Sequence, residues 1–191
     1  MKHCFLALAM AVLGAAALAE SERYELDASH SQIVFSYRHL GYSTTYGMFS
    51  GFEGEIMFDK ENPANSSVNV SIPVTSMLTG WEARFRHFMS EDFFFASEDD
   101  MITFTSTGIE IAGEDTGQIF GDLSMNGITK TVVLDAKLNR AEPHPMLDGR
   151  PWVGFDATAT LLRSDFDLGK FAPFVSDEVE VAISVEAGRA E

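Results

Sequence analysis

Cysteine is almost absent from this sequence. The single cysteine, Cys4, lies within the first nineteen residues, where Lys2 precedes an apolar run from Phe5 to Leu18. This pattern is typical of a cleavable secretory signal over residues 1–19, so we expect export to the periplasm and a mature chain that begins near Glu20. A mature chain without cysteine forms no disulfide, offers no thiol nucleophile and cannot attach haem through a cysteine pair.

Long hydrophobic runs are also missing. The apolar run of the signal is too short to cross a bilayer, which takes about 20 helical residues, and no later segment comes closer. We therefore expect neither a membrane anchor nor stable membrane insertion. Residues 20–191 have a normal length for one domain with a large core and no covalent cross-links, so we predict a single domain over this range.

Basic residues are scarce. The chain has 13 lysines and arginines against 29 aspartates and glutamates, and its formal net charge is -16. Nucleic-acid backbones are held by clustered lysine and arginine, so this composition argues against nucleic acid as a partner. Anionic membrane surfaces would repel the chain as well. The simplest interpretation of the acidity is a solvated surface that keeps the protein soluble.

The common catalytic motifs are absent from the sequence. It contains no His-Glu-x-x-His run, no Gly-x-Ser-x-Gly elbow and no phosphate-binding loop. Beyond the signal it has the histidines His30, His39, His87 and His144, and we expect the first of these to brace a strand rather than act as a base. We predict no enzymatic activity, no metal site and no cofactor, with non-covalent haem or metal binding by His39 and His87 as the remaining alternative.

Apolar and polar residues alternate along most of the chain, which is the pattern of β-strands with one buried face. The alternation is clear over residues 31–38, 52–59, 67–72, 102–105, 131–138 and 178–186. Polar turn signals separate these runs, and Asn126-Gly127 favours a type I′ hairpin, so the strands are expected to pair antiparallel. Counting the runs gives eight or nine strands, which suits a sandwich or a barrel about equally.

One segment has helical rather than alternating periodicity. From Ser76 to Met89, apolar residues such as Trp81, Phe85 and Phe88 recur at the spacing of one helix face. We predict a short helix over this range. Its apolar face either fills part of the core or forms a lid over a cavity, and the periodicity alone does not decide between them.

Four stretches of the chain carry a family resemblance. They are Tyr24 to Ser31 with His39-Leu40-Gly41 downstream, Gly47 to Gly54, Gly121 to Leu134, and Arg163 to Phe166 followed by Val175 to Val179. In order and spacing they resemble the YceI-like lipid-binding family. The resemblance implies an all-β fold, an eight-stranded antiparallel lipocalin-like β-barrel with one short helix, that binds a polyisoprenoid, an isoprenoid quinone or a fatty amide or acid.

An eight-stranded barrel is the smallest that can hold one slender ligand, so the resemblance implies a lumen lined by large apolar side chains. The candidates are Phe35, Tyr37, Phe49, Phe52, Trp81, Phe104, Phe155 and Leu161. The alternative is that these side chains fill the barrel themselves. Burying roughly 20 methylene equivalents gives about 16 kcal/mol against an association cost of about 4 to 15 kcal/mol, which favours a long chain as the ligand.

A lipid head group would need polar partners near the opening of such a barrel. Cationic residues beside apolar stretches are the candidates: Arg38, His39, Arg84, Arg86, His87 and Arg163. A quinone needs only hydrogen-bond donors, whereas a prenyl phosphate favours at least one arginine. Each of these side chains has surface solvation as its alternative, and Arg163 has an ion pair with Asp165 or Asp177.

The sequence thus predicts a periplasmic protein that binds or transports a long-chain apolar lipid. The alternative is a non-catalytic interaction or stress-response module of a membrane redox system. Whether two copies form a homodimer is left open.

Overall fold

The computed structural model describes residues 21–191. The predicted signal over residues 1–19 lies outside the described residues. Within them, no helix is both long enough and apolar enough to span a bilayer.

The described chain folds into eleven β-strand segments and one α-helix. In chain order they are β1 Glu22–Leu26, β2 Gln32–His39, β3 Ser43–Ser50, β4 Glu53–Phe58, β5 Ser67–Pro73, β6 Met77–Leu78, α1 Glu82–Phe88, β7 Met101–Ile111, β8 Thr116–Met125, β9 Ile128–Pro143, β10 Pro151–Leu162 and β11 Glu178–Arg189. Short 3-10 turns occupy Pro63–Asn65, Val74–Ser76 and Arg163–Phe166. Every strand pairing is antiparallel.

The eleven segments form eight long strands because three strands are interrupted. The pairs β1 with β2, β3 with β4, and β5 with β6 each run in one direction with a short break between them. One edge of β11 shows this directly, since its first half pairs with β2 and its last residues pair with β1. The other edge pairs with β10, so the sheet closes on itself. The predicted eight-stranded antiparallel barrel is therefore confirmed.

The predicted hairpin at Asn126-Gly127 is also confirmed. These two residues connect β8 to β9 and have φ values of 54° and 74°. Positive φ at both central positions defines the type I′ turn, whose twist matches that of the flanking strands.

The helix is shorter than the range predicted from periodicity. It begins at Glu82 rather than Ser76, because Met77 pairs with Phe49 of β3 and Gly80 has a left-handed φ of 72°. Hydrogen bonding to a neighbouring strand and a left-handed residue are both incompatible with a continuous helix. The prediction of one helix is correct, and its first six residues were assigned wrongly.

The buried side chains form two clusters at different heights in the barrel. The larger cluster contains Phe52 and Phe166, each 1% exposed, together with Phe104 and Leu123. The smaller cluster surrounds Tyr24 and packs near the end of the barrel where β1 begins and β11 ends. We call the opposite end the mouth; it carries the β2–β3 hairpin tip (residues 40–42), the segment 79–100 and the loop 163–177.

Candidate functional site

The interior of the barrel contains a cavity of about 1130 Å³. All eight side chains predicted for the lumen line it: Phe35, Tyr37, Phe49, Phe52, Trp81, Phe104, Phe155 and Leu161. Its volume is slightly above the usual range for small-molecule sites, about 300 to 1,000 Å³. The barrel is therefore not filled by its own side chains, and contact of these residues with a ligand remains a prediction.

Two glycines let large aromatic rings lie flat against the barrel wall. A Cβ on Gly47 would come closer than 3.0 Å to three atoms of the Phe35 ring, and a Cβ on Gly121 would do the same to two atoms of the Phe104 ring. Each ring therefore occupies the space that a side chain on the neighbouring strand would take. This packing keeps the rings on the wall and leaves the middle of the barrel open.

The wall formed by β2 and β3 changes from apolar to polar toward the mouth. Its inward cross-strand pairs, from the middle of the barrel outward, are Ile33–Phe49, Phe35–Gly47, Tyr37–Thr45 and His39–Ser43. Alternate residues of a strand point to the same face, so these eight positions share one surface. Hydroxyl and imidazole groups thus line the cavity only near its mouth on this wall.

The segment 79–100 and the loop 163–177 cover the mouth and are joined through Asp92. Its carboxylate accepts hydrogen bonds from Lys170 and from His87 Nε2, the latter at 3.1 Å. Those hydrogen bonds hold the pKa of Asp92 below its usual value. Since Lys170 belongs to the loop 163–177 and His87 to α1, one carboxylate connects the helix to the loop.

Aromatic side chains pack beneath this connection. Phe93 contacts His87 and Phe88 edge to face, with ring centroids 5.1 and 5.3 Å apart, and it lies 6.1 Å from the ring of Phe171. Phe88 in turn meets Tyr37 of β2 at 6.2 Å. The apolar face of α1 therefore packs over the cavity opening, which favours the lid interpretation of this helix.

The guanidinium of Arg163 is hydrogen-bonded to backbone carbonyls. Its guanidinium donates to the carbonyl oxygens of Ser176 at 2.9 Å, Leu168 at 2.6 Å and Val175 at 3.0 Å. Burial lowers the pKa of this guanidinium. Although Arg163 lines the cavity, its donors are directed at the loop 163–177, which it holds in place.

Neither carboxylate suggested as a partner of Arg163 accepts a hydrogen bond from it. Asp177 instead accepts from the backbone N–H and the hydroxyl of Ser164, and Asp165 lies 3.9 Å from Lys130.

The other head-group candidates fall into two groups. Arg84, His39 and His87 line the cavity at the mouth, whereas Arg38 is exposed on β2 and is not among the lining residues. Arg38 follows Tyr37 in the strand and so points to the outer face. Arg86 is exposed on α1, with its Nε 3.9 Å from Glu82.

The alternation in the sequence did not reveal the part of the lining contributed by the loop 163–177. Leu168, Phe171 and Phe174 line the cavity from this loop. They lie in an irregular segment, where no period marks an inward face. At the opposite end of the barrel, Glu114 and Asp115 also reach the lining.

Exposed aromatic side chains are concentrated at the mouth. Among the described residues, the large exposed aromatics are Tyr42, Tyr46, Trp81, Phe95, Phe171 and Phe174. Tyr42 at the hairpin tip is 91% exposed and Phe95 is 77% exposed. Exposed apolar patches of this kind mark interaction surfaces on otherwise polar proteins.

His30 lies outside the cavity, at the break between β1 and β2. Its Nδ1 is 2.7 Å from the Asp27 carboxylate, and this hydrogen bond raises the pKa of His30. These two residues and Glu186 offer three potential metal-ligand atoms within 4.8 Å of one another on the outer surface, the single such group among residues 21–191. The position of His30 agrees with the predicted bracing of the first strand.

Comparison with known proteins identifies relatives over nearly the whole chain. A family model described as the YceI-like domain matches residues 24–187. The UPF0312 protein of Ectopseudomonas mendocina (strain ymp) is 38% identical over 184 residues, which cover 96% of this chain and 95% of that protein. The protein YceI of Escherichia coli O17:K52:H18 is 38% identical over 189 residues, which cover 97% of each.

Solved structures share the barrel. The Campylobacter jejuni YCEI protein is 30% identical, with a TM-score of 0.72 over 81% of this chain and 90% of that one. A domain from Saccharophagus degradans, described as polyisoprenoid binding, is 15% identical, with a TM-score of 0.66 over 87% of this chain and 98% of that one. At 15% identity the second likeness shows the fold alone.

Proposed function

Because this chain belongs to the YceI-like family, we propose that it is a non-catalytic binding protein that carries one long apolar lipid inside its barrel. The observation that carries the proposal is the cavity of about 1130 Å³, which is lined mainly by apolar side chains and not filled by them. An unfilled apolar space of this size leaves its lining without contacts, and a hydrocarbon chain would supply them.

The ligand is a long chain because only a long chain gains enough from burial. Roughly 20 methylene equivalents contribute about 16 kcal/mol, which exceeds most estimates of the association cost of about 4 to 15 kcal/mol. Polyisoprenoids, isoprenoid quinones and fatty amides or acids all satisfy this requirement. Since the hydrophobic term is non-directional, the cavity accepts several chains of similar girth. A barrel of the same fold, the Saccharophagus degradans domain, is described as polyisoprenoid binding, which is one of these ligand classes.

Transport through the periplasm is the biological setting that we propose. The signal predicted over residues 1–19 supports export, and a carrier there shields a hydrocarbon chain from water between two membranes. The exposed aromatics at the mouth support exchange, because side chains such as Trp81 and Tyr42 favour the boundary between water and lipid. We propose no cofactor other than the bound lipid.

Native mass spectrometry of the exported protein tests the proposal. The full chain is produced with its own signal, purified from a periplasmic extract without detergent, and measured before and after extraction with organic solvent. We expect a bound mass of several hundred daltons that the solvent removes, and an intact protein that begins near Glu20. The extracted protein should then take up an added long-chain lipid.

Two results would contradict the proposal. One is a protein that carries no lipid and takes up none after extraction, as an interaction module with a rigid empty barrel would do. The other is turnover of an ester or phosphate substrate that is lost when His30 or His39 is changed to alanine. Visible absorbance of the same sample would reveal bound haem.

A further inference from the structure

We propose that the mouth of the cavity binds an acidic head group, a carboxylate or a phosphate, and that Arg84 is the residue that holds it. This inference rests on the proposed lipid binding and specifies its chemistry. It follows from three features of the cavity: an arginine without an acidic partner at the mouth, a polar wall at the same end, and carboxylates at the far end.

Arg84 is a half-buried cation that faces the cavity. Its Nη1 donates to the carbonyl oxygen of Thr79 at 2.9 Å, which fixes the guanidinium at the start of α1. Among residues 21–191 no carboxylate lies within ion-pair distance of Arg84, and its Nε and Nη2 have no hydrogen-bond partner there. Within the described residues the only buried side-chain nitrogen or oxygen without a partner is Ser76 Oγ, so these free donors of Arg84 still reach solvent and are available to the acceptor atoms of a ligand.

The neighbouring cationic side chains of the mouth already have carboxylate or carbonyl partners. Arg86 lies beside Glu82, Lys170 binds Asp92, and Arg163 donates to the carbonyls of its own loop. In a chain with 29 acidic residues, Arg84 is therefore the cavity-facing cation of the described residues that is left for a ligand. Arginine matches carboxylate and phosphate oxygens in a bidentate geometry.

The wall formed by β2 and β3 supplies further hydrogen-bond donors at the mouth of the cavity. Tyr37, His39, Ser43 and Thr45 line the cavity near its mouth, and hydroxyl and imidazole N–H groups donate to the oxygens of an acidic head. These neutral groups would also satisfy a quinone or an amide. The positive charge of Arg84 is what favours an acidic head group over a neutral one.

Charge at the two ends of the cavity sets the orientation of the lipid. Glu114 and Asp115 lie at the end opposite to the mouth and are also part of the lining. A negatively charged head is repelled there and attracted to Arg84, so the head lies at the mouth and the tail extends past Phe35 toward the middle of the barrel.

Matched ligands test the inference. Solvent-extracted protein is titrated with oleate, oleyl phosphate, oleamide and oleyl alcohol, which share one hydrocarbon chain and differ only in the head. We expect the wild-type protein to bind the two acidic ligands about tenfold to a hundredfold more tightly than the two neutral ones, as hydrogen bonds to a charged group provide. Comparing oleate with oleyl phosphate shows whether the mouth prefers a carboxylate or a phosphate head group.

Arg84→Gln should remove this preference, because it lowers the affinity for the two acidic ligands much more than the affinity for oleyl alcohol. Arg84→Lys should retain part of it, because lysine keeps the charge and loses the bidentate geometry. The matched control is Arg86→Gln, two residues further along the same helix and exposed, which should keep the full preference. The affinity for oleyl alcohol shows in every variant whether the cavity is intact.

The failure of this inference is distinct from the failure of the proposed function. Equal wild-type affinity for oleate and oleamide, or an equal effect of Arg84→Gln and Arg86→Gln, would overturn the acidic-head assignment while lipid binding stands. If none of the four ligands binds the wild-type protein, lipid binding itself is wrong, and the assignment falls with it.

Discussion

The ring of Phe35 on β2 lies against Gly47 on β3, in the space that a Cβ at Gly47 would occupy. The two residues face each other across the pair of strands, and the missing side chain of one makes room for the ring of the other. The open lumen at this height therefore depends on a glycine.

Gly47→Ala should push the Phe35 ring toward the lumen and narrow the cavity. Losing space for about two methylene groups would cost about 1.6 kcal/mol of binding free energy, or about tenfold in Kd for a long-chain ligand. The measurement is a titration with ligands of increasing chain length. Gly108→Ala is the control, because a Cβ there meets no atom within 4 Å; an equal loss in both variants would contradict the packing argument.

Val132 and Val133 provide a test of which face of β9 meets the ligand. Val132 lines the cavity, whereas Val133 is 40% exposed on the outside. Val132→Asp should abolish retention of lipid, since a carboxylate in an apolar cavity is strongly unfavourable, and Val133→Asp should leave it intact. Native mass spectrometry of both purified variants gives the comparison.

Val132→Thr is the control for the possibility that Val132→Asp loses lipid because it unfolds. Threonine has nearly the shape of valine and replaces one methyl group by a hydroxyl, so the barrel should fold while binding weakens by about 1 to 3 kcal/mol. Unchanged lipid affinity in a folded Val132→Thr protein would show that this wall does not contact the ligand.

Arg163→Lys should destabilise the protein even though it conserves the charge. The guanidinium donates to the carbonyls of four residues of its loop, Ser176, Leu168, Val175 and Lys170, and a lysine ammonium does not reach all of them. We expect the free energy of unfolding to fall by about 2 to 4 kcal/mol, measured by urea denaturation. Arg140→Lys, an exposed arginine paired with Glu142, should change it by less than about 1 kcal/mol.

His30 should make stability depend on pH. The hydrogen bond with Asp27 raises the pKa of His30 above 6.5, so its stabilising effect is fully present below about pH 6.5 and is lost as the pH rises through the raised pKa. The Tm of His30→Gln should therefore lie below that of the wild type at pH 5.5, and the two should converge at high pH.

A double-mutant comparison isolates this pair. In an Asp27→Asn background the His30→Gln change should lose its pH-dependent effect, because the carboxylate that raises the pKa is gone. A Tm difference that stays constant with pH, or that grows as the pH rises, would be inconsistent with the Asp27–His30 interaction.

Local pattern predicted the strands of this fold well. Val179 and Val181 alternate with Glu178 and Glu180 because β11 has one face on the lumen, and Asn126-Gly127 is a turn that two residues determine by themselves. The breaks within the long strands were not predicted. Phe52 continues the alternation through the β3–β4 break, and the interruption there depends on partners that change from β2 to β1 along the sheet.

The part of the site that lies on strands was predicted better than the part contributed by the loop 163–177. Phe35 and Leu161 were inferred to line the lumen from alternation together with the family resemblance, whereas Phe171 and Phe174 belong to a loop without any period. The hydrogen-bond partners of Arg163 were not predicted for another reason. They are backbone carbonyls, which every residue has, so no side-chain pattern marks them.

The two edges of the sheet meet only at β11, which pairs with β10 on one side and with β1 and β2 on the other. It is also the last barrel strand to leave a ribosome. A truncated polypeptide that lacks β11 has two open edges and no enclosed interior, so the lipid binding proposed above requires this strand.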